Sequence, residues 1–347
     1  MADLQQIINE LKNYDGEELT FMEVCGTHTA SISENGIPKL ISPKIRLVSG
    51  PGCPVCVTVA AYIDRLVELS MEPDTCVVTF GDMIRVRGSR MNLREAMAQG
   101  ANVRMVYSPL DVLKLAAEDR QCRYVFAAVG FETTTPIYAI LVEEAMAAGL
   151  DNIKLLTALK TMPEVIDKVC SMPNSITGFI APGHVSVITG SDIFKPLASK
   201  YNLPFVVSGF EGEELLAAIY TLVKLKDRPQ VCNMYPRAVT ENGNRQACEK
   251  IDKFFTKCDA AWRGLGIIPD SGVCLRDEYI DFDAGSMNLV EDFLANKACS
   301  CPQVITGQLS PTQCPLYGKI CTPDNPQGAC MVSTEGSCFN YYVNKRG

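Results

Sequence analysis

No stretch of this sequence offers the basic stripe that phosphate neutralisation needs, and the net charge is −8. A nucleic-acid binder is excluded on that ground. The one basic run, residues 224–228, is broken by Leu225 and Asp227 and reads as a solvated helix end. No window of about 20 residues stays apolar, so no membrane span is expected. No apolar segment follows the opening Met-Ala-Asp-Leu-Gln-Gln, so no secretory signal is expected. Nucleotide loops are missing as well. There is no Walker A match, and Gly50-Pro51-Gly52 lacks the third glycine of the dinucleotide fingerprint. Pro51 and Pro54 also remove N–H donors there. Histidine is scarce: His28 and His184 are the only two.

Cysteine is what the chain has in quantity, sixteen in 347 residues. The expected location is the cytoplasm, a reducing compartment in which so many thiols argue for metal or redox chemistry rather than a disulfide framework. Cys76, Cys122, Cys170 and Cys232 lie in or beside apolar segments and read as small core residues. Hydrophobic content of 47% and charged content of 21% describe an ordinary globular chain, long enough for two or three domains.

The chemistry concentrates in turns. Residues 45–48 form an apolar run and residues 59–69 a helix, and between them lies Ser-Gly-Pro-Gly-Cys-Pro-Val-Cys, with Cys53 and Cys56 two residues apart. Thiols at a helix start ionise more readily than free ones, and such a pair can close a disulfide, attack, or bind metal. The alternative is a tight turn with small buried hydrophobes. Residues 19–24 read as a first strand ending in Cys25-Gly26-Thr27-His28, where an imidazole close to the thiol would lower its pKa. A histidine that merely caps the following helix is the competing reading.

Strands alternate with helices onward: 75–80, 103–107, 124–129, 153–159, 176–180 and 205–207 are strand-like. This pattern gives βαβ units and mostly parallel sheets. Ligands of such sheets bind beyond the carboxyl ends of the strands. The distinctive turns all fall there, so Cys25, His28, Cys53, Cys56, Glu132 and His184 are expected around one cleft. Two α/β domains, 1–115 and 116–235, are followed by a Cys-rich domain, 236–347. Residues 246–256 read as helix and the sequence after them as irregular.

That tail carries Cys299, Cys301, Cys314, Cys321, Cys330 and Cys338 among prolines and glycines. It has little apolar surface of its own, and a metal centre supplies folding free energy to such segments. The Cys-x6-Cys-x8-Cys-x7-Cys spacing from Cys314 is too open for zinc knuckles and suits a four-thiolate 4Fe–4S cluster.

Taken together, Cys-Gly-Thr-His at 25–28, Gly-Pro-Gly-Cys-Pro-Val-Cys at 50–56, Gly-Phe-Glu-Thr-Thr at 130–134, Pro-Gly-His-Val-Ser at 182–186 and Cys-Pro-Leu-Tyr-Gly-Lys at 314–319 resemble the signature blocks of the HypD family. The tail from Gly328 to the Glu-Gly-Ser-Cys ending at Cys338 matches as well. Val59 stands where the family pattern has proline, a matter of helix-start stiffness. The resemblance implies a scaffold that, with HypC, assembles the Fe(CN)2CO unit of NiFe hydrogenase, with cyanide from HypE and HypF acting upstream. It implies that Cys25 holds the iron unit, supported by His28 and bordered by Thr27, and that Cys53 and Cys56 are a redox pair. It also implies that Cys314, Cys321, Cys330 and Cys338 ligate the 4Fe–4S cluster. Glu132 and His184 are candidate supporting groups. Which of Cys299, Cys301 and the four later cysteines are true ligands stays open. Two other readings compete: a thiol–disulfide oxidoreductase resembling ferredoxin:thioredoxin reductase, and a structural metalloprotein binding a small metabolite.

Overall fold

The structure is a computed structural model that describes residues 3–292 and 296–344. Eleven strands carry the fold among these residues. In chain order they are β1 (Leu19–Glu23), β2 (Ile45–Ser49), β3 (Thr75–Thr79), β4 (Val103–Met105), β5 (Arg123–Gly130) and β6 (Ile153–Lys160). Then come β7 (Gly178–Pro182), β8 (Phe205–Ser208), β9 (Val231–Asn233), β10 (Phe255–Trp262) and β11 (Gly266–Leu275). They form a five-stranded sheet, β2-β1-β7-β8-β9, and a six-stranded sheet, β10-β11-β6-β5-β3-β4.

The first sheet is parallel throughout. In the second, β3, β4, β5 and β6 pair in parallel, whereas β10 and β11 are antiparallel to each other and β11 is antiparallel to β6. The α/β class with mostly parallel sheets is therefore as expected. Strands such as β5 are buried from Tyr124 to Gly130, the continuous apolar run of a strand covered on both faces by helices.

Two features differ from the sequence reading. Each sheet takes strands from both sides of residue 115, since β1 and β2 pair with β7 to β9 while β3 and β4 pair with β5 and β6. The segment read as irregular after residue 256 holds the β10–β11 hairpin, and the preceding helix ends at Phe254. Pro269 and Gly272 interrupt the alternation within β11, and its pairing with β6 is long-range, so local pattern did not reveal it.

The Cys-rich tail consists of short helices, Cys301–Ile305, Ala329–Val332 and Ser337–Val343, joined by turns. Its last helix docks on the helix Gly26–Glu34: the Ser33 hydroxyl donates to the Asn340 carbonyl at 3.2 Å, and Asn344 Nδ2 donates to Ser33 Oγ at 2.9 Å. Among the described residues no helix is long and apolar enough to cross a membrane.

Candidate functional site

The two turns that carry the first three candidate thiols are in direct contact. β1 runs into Cys25, which is the extended residue preceding the helix Gly26–Glu34. β2, its parallel neighbour, runs into Gly50-Pro51-Gly52. The Gly26 N–H donates to the Gly52 carbonyl at 2.9 Å. A Cβ on Gly52 would overlap the backbone of Val24 and Cys25, so only glycine permits this approach. Cys53 and Cys56 are joined as a disulfide, with Cα atoms 5.2 Å apart, and both are buried.

The Cys-rich tail closes over these turns. Cys56 Sγ lies 4.0 Å from the Ala329 carbonyl, the residue before Cys330. Glu335 accepts a hydrogen bond from the Thr27 hydroxyl at 3.1 Å, and a Cβ on Gly26 would strike the Glu335 side chain. A cavity of about 10 Å3 is walled by Cys53, Cys56, Cys330, Glu335 and Thr29. That is room for one water at most.

Six tail thiols converge in the same core. The thiols of Cys299 and Cys301, Cys301 and Cys330, and Cys330 and Cys338 lie close enough to perturb one another's ionisation. Cys321 sits within electrostatic reach of Cys299 and Cys314, and its Sγ accepts the Gln327 N–H at 3.4 Å. Cys338 N–H donates to Cys330 Sγ at 3.2 Å. Among the described residues no group of three or more His, Cys, Asp or Glu side chains is arranged around a single metal ion. The donor set itself suits an iron–sulfur centre: it is all sulfur, it is buried, and burial raises the Cys321 thiol pKa, so that ionising it calls for a nearby positive centre.

The electrostatics of Cys25 are opposite to the sequence expectation. Burial pushes the thiol up to about 12, and the carboxylates of Glu335 and Glu23 add to the rise. The His28 backbone N–H counters this in part, but the His28 ring does not. It is fully buried, its pKa is held down at about 4 by desolvation, and the neutral ring carries no charge to lower a thiol pKa. Its Nε2 lies 3.0 Å from the Gly209 carbonyl, which makes it a donor there, and Nδ1 has no partner. His28 therefore anchors the helix Gly26–Glu34 to the turn after β8. Both histidines pack on the ring in that turn: His184 stacks on Phe210 with centroids 3.9 Å apart, and His28 meets it tilted by 34° at 4.8 Å. His184 faces solvent on the side of its ring not covered by Phe210.

Glu132 goes elsewhere. Its Oε1 accepts the Met162 N–H at 2.8 Å, at the start of the helix Met162–Ser171, and its neighbouring charges are Glu164 and Lys257. Oε2 has no partner, and burial pushes the carboxyl up to about 7.

Two site residues escaped the sequence reading. Glu23 is buried at the end of β1, where it accepts the Cys25 N–H at 3.0 Å and the Thr29 hydroxyl at 2.5 Å, and burial pushes it up to about 7. A lone carboxylate in the otherwise apolar Leu-Thr-Phe-Met-Glu-Val was the available signal. Glu335 opens the Glu-Gly-Ser-Cys block of the tail, but only the docking of the tail brings it to Thr27.

The site thus belongs to an α/β protein in which a buried thiol, a disulfide and a sulfur-rich core abut. The HypD family model, described as the hydrogenase formation hypA family, matches residues 2–345. The chain is 41% identical over 337 residues to a hydrogenase maturation factor HypD of Azotobacter vinelandii, covering 94% of this chain and 89% of that one. It is 40% identical over 352 residues to the hydrogenase maturation factor HypD of Escherichia coli K12, covering 98% and 94%. The Rhodobacter capsulatus protein of that name is 39% identical over 355 residues, covering 99% and 93%. The chain belongs to the HypD family of hydrogenase maturation factors.

Proposed function

We propose that this chain is the cytoplasmic scaffold on which the Fe(CN)2CO unit of NiFe hydrogenase is assembled, in complex with HypC and receiving cyanide from HypE, with HypF upstream. The observation that supports it is the meeting of three distant segments, the helix that follows Cys25 (through Thr29), the Cys53–Cys56 turn and the Cys330–Glu335 loop, around one small cavity, with the Cys25 turn held to the other two by the Gly26–Gly52 and Thr27–Glu335 hydrogen bonds.

The state of Cys25 suits an iron anchor better than a free nucleophile. A buried thiol with its pKa near 12 stays protonated on its own. A soft iron cation bearing cyanide and carbon monoxide displaces that proton and takes the thiolate. Glu23, buried, and Glu335, half-buried, both act electrostatically on Cys25 and are placed to accept it. The cavity is too small for the iron unit, so loading requires the Thr27–Glu335 contact to open, with a cysteine of HypC completing the iron's thiolate pair. Thr27 holds Glu335 by its hydrogen bond, whereas Glu132 binds the start of the helix Met162–Ser171 and has no contact with this cavity's lining.

Cys53 and Cys56 serve as the redox pair: two electrons and two protons convert the disulfide to two thiols. The residues that would hold a 4Fe–4S cluster are Cys314, Cys321, Cys330 and Cys338, and when bound it supplies one-electron chemistry to this core. The oxidoreductase reading fares worse, because Cys53 is 5% and Cys56 1% exposed, which denies a protein substrate access to the disulfide. A host lacking its own HypD tests the reading. This chain restores hydrogenase maturation there and Cys25→Ala does not; restoration by Cys25→Ala would remove Cys25 as the anchor.

A further inference from the structure

A second pocket, lined by none of the residues of the Cys25 turn or the tail thiols, lies beside the β10–β11 hairpin. It has a volume of about 360 Å3 and opens where the β10–β11 hairpin joins β6. Lys160, the last residue of β6, is 3% exposed and lines it. Its ammonium lies 5.6 Å from the Trp262 ring centroid, and no carboxylate or carbonyl among the described residues accepts a hydrogen bond from it. An ammonium has three donors, and because Nζ is not among the fully enclosed unpartnered atoms, they open onto the pocket, where whatever enters can accept them.

The walls say what that something is. Val59, Leu159, Val273 and Leu289 make the sides apolar, and the mouth exposes Ile267, Met287 and Val290. Lys160 is the only cationic side chain of the lining, and Cys258 is the titratable group nearest to it. Asp259 adds a negative charge at the edge, where it accepts the Asp270 N–H at 3.1 Å. A phosphate or other polyanion would meet one cation and one carboxylate and find no second donor set. A singly charged head with a short hydrocarbon chain matches both the charge and the walls.

We propose that this pocket is a binding site for a small aliphatic monocarboxylate, its head on Lys160 and its chain along the apolar walls toward Ile267. This assignment is independent of the maturation reading.

Calorimetric titration of the intact chain with hexanoate tests it. Hexanoate binds one per chain with a Kd of about 1 mM or tighter, a modest demand for a ligand of this size. Hexan-1-ol and inorganic phosphate bind at least about tenfold more weakly. Lys160→Met, which keeps the side-chain bulk, loses at least about tenfold in affinity. Ile267→Asp alters only an exposed mouth residue and weakens hexanoate in the same direction, which keeps the test decisive if Lys160→Met fails to fold. The proposal is overturned by the absence of saturable binding, by equal affinity for hexan-1-ol or phosphate, or by unchanged affinity in a folded Lys160→Met or Ile267→Asp protein.

Discussion

The Thr27 hydroxyl donates to Glu335 Oε1 at 3.1 Å, joining residues 308 apart in the chain. Through this bond the Cys-rich tail reaches back to the turn that carries Cys25, and it sets a carboxylate against a buried thiol. Glu335 is the first electrostatic contributor after burial to the raised Cys25 pKa. Glu335→Gln keeps an acceptor for Thr27 and removes the charge. The pH midpoint for alkylation of Cys25 by iodoacetamide, followed by peptide mass spectrometry, is expected to fall in Glu335→Gln. A midpoint that stays or rises contradicts the assignment.

Gly52 is the contact between the two thiol turns. A Cβ there meets only backbone atoms of Val24 and Cys25, which no rotamer change relieves. Gly52→Ala is expected to destabilise the chain by about 1–3 kcal/mol in denaturant titration, the usual range for overpacking. It should also separate Cys25 from the disulfide and impair maturation. An unchanged midpoint would mean that the turns do not abut.

The tail cysteines separate by metal content. Cys321→Ala and Cys330→Ala are expected to reduce iron and sulfide, in anaerobically purified protein, from about four of each per chain to a small residue. Loss of the centre also lowers the melting temperature, because metal binding supplies folding free energy. Cys299→Ala and Cys301→Ala, whose thiols lie in the same sulfur-rich core, are expected to keep the full complement. Full iron in Cys330→Ala, or loss in Cys301→Ala, would reassign the ligands.

Glu132 gives a pH dependence. Its folded pKa of about 7 lies above its ordinary value of 4.5 because burial disfavours the charged form. Between those two values the folded chain binds more protons than the unfolded one, so this group's contribution to stability falls as pH rises through that window. The loss is on the order of 3 kcal/mol once pH exceeds the folded value. Glu132→Gln removes it. The variant should melt above the parent at pH 8, with the difference vanishing near pH 4, as read by scanning fluorimetry. A variant that melts below the parent at pH 8 contradicts a buried, unpaired Oε2.

Much of this was legible in the sequence, and the reasons are local. Buried parallel strands such as β5 write continuous apolar runs, and helices such as Ala60–Met71 write a 3.6-residue period. Loops at strand carboxyl ends advertise Cys25, His28, Cys53 and Cys56. What stayed hidden depends on tertiary placement. The β10–β11 hairpin gains its identity from β6, and the partition of strands between two sheets has no local signature. The sequence offers His28 either as an imidazole that lowers the Cys25 pKa or as a helix cap, and burial under Phe210 makes it a neutral clamp on Gly209. Sequence gives proximity along the chain, whereas desolvation, which sets the Cys25 and His28 pKa values, is a property of the packed interior.

Infrared spectroscopy of this chain co-produced with its HypC partner tests the central claim most directly. The account predicts Fe–CN and Fe–CO stretching bands in the parent complex. It predicts their absence in Cys25→Ala, with the visible absorbance of the iron–sulfur centre intact in both. Bands that persist in the Cys25→Ala complex would contradict it.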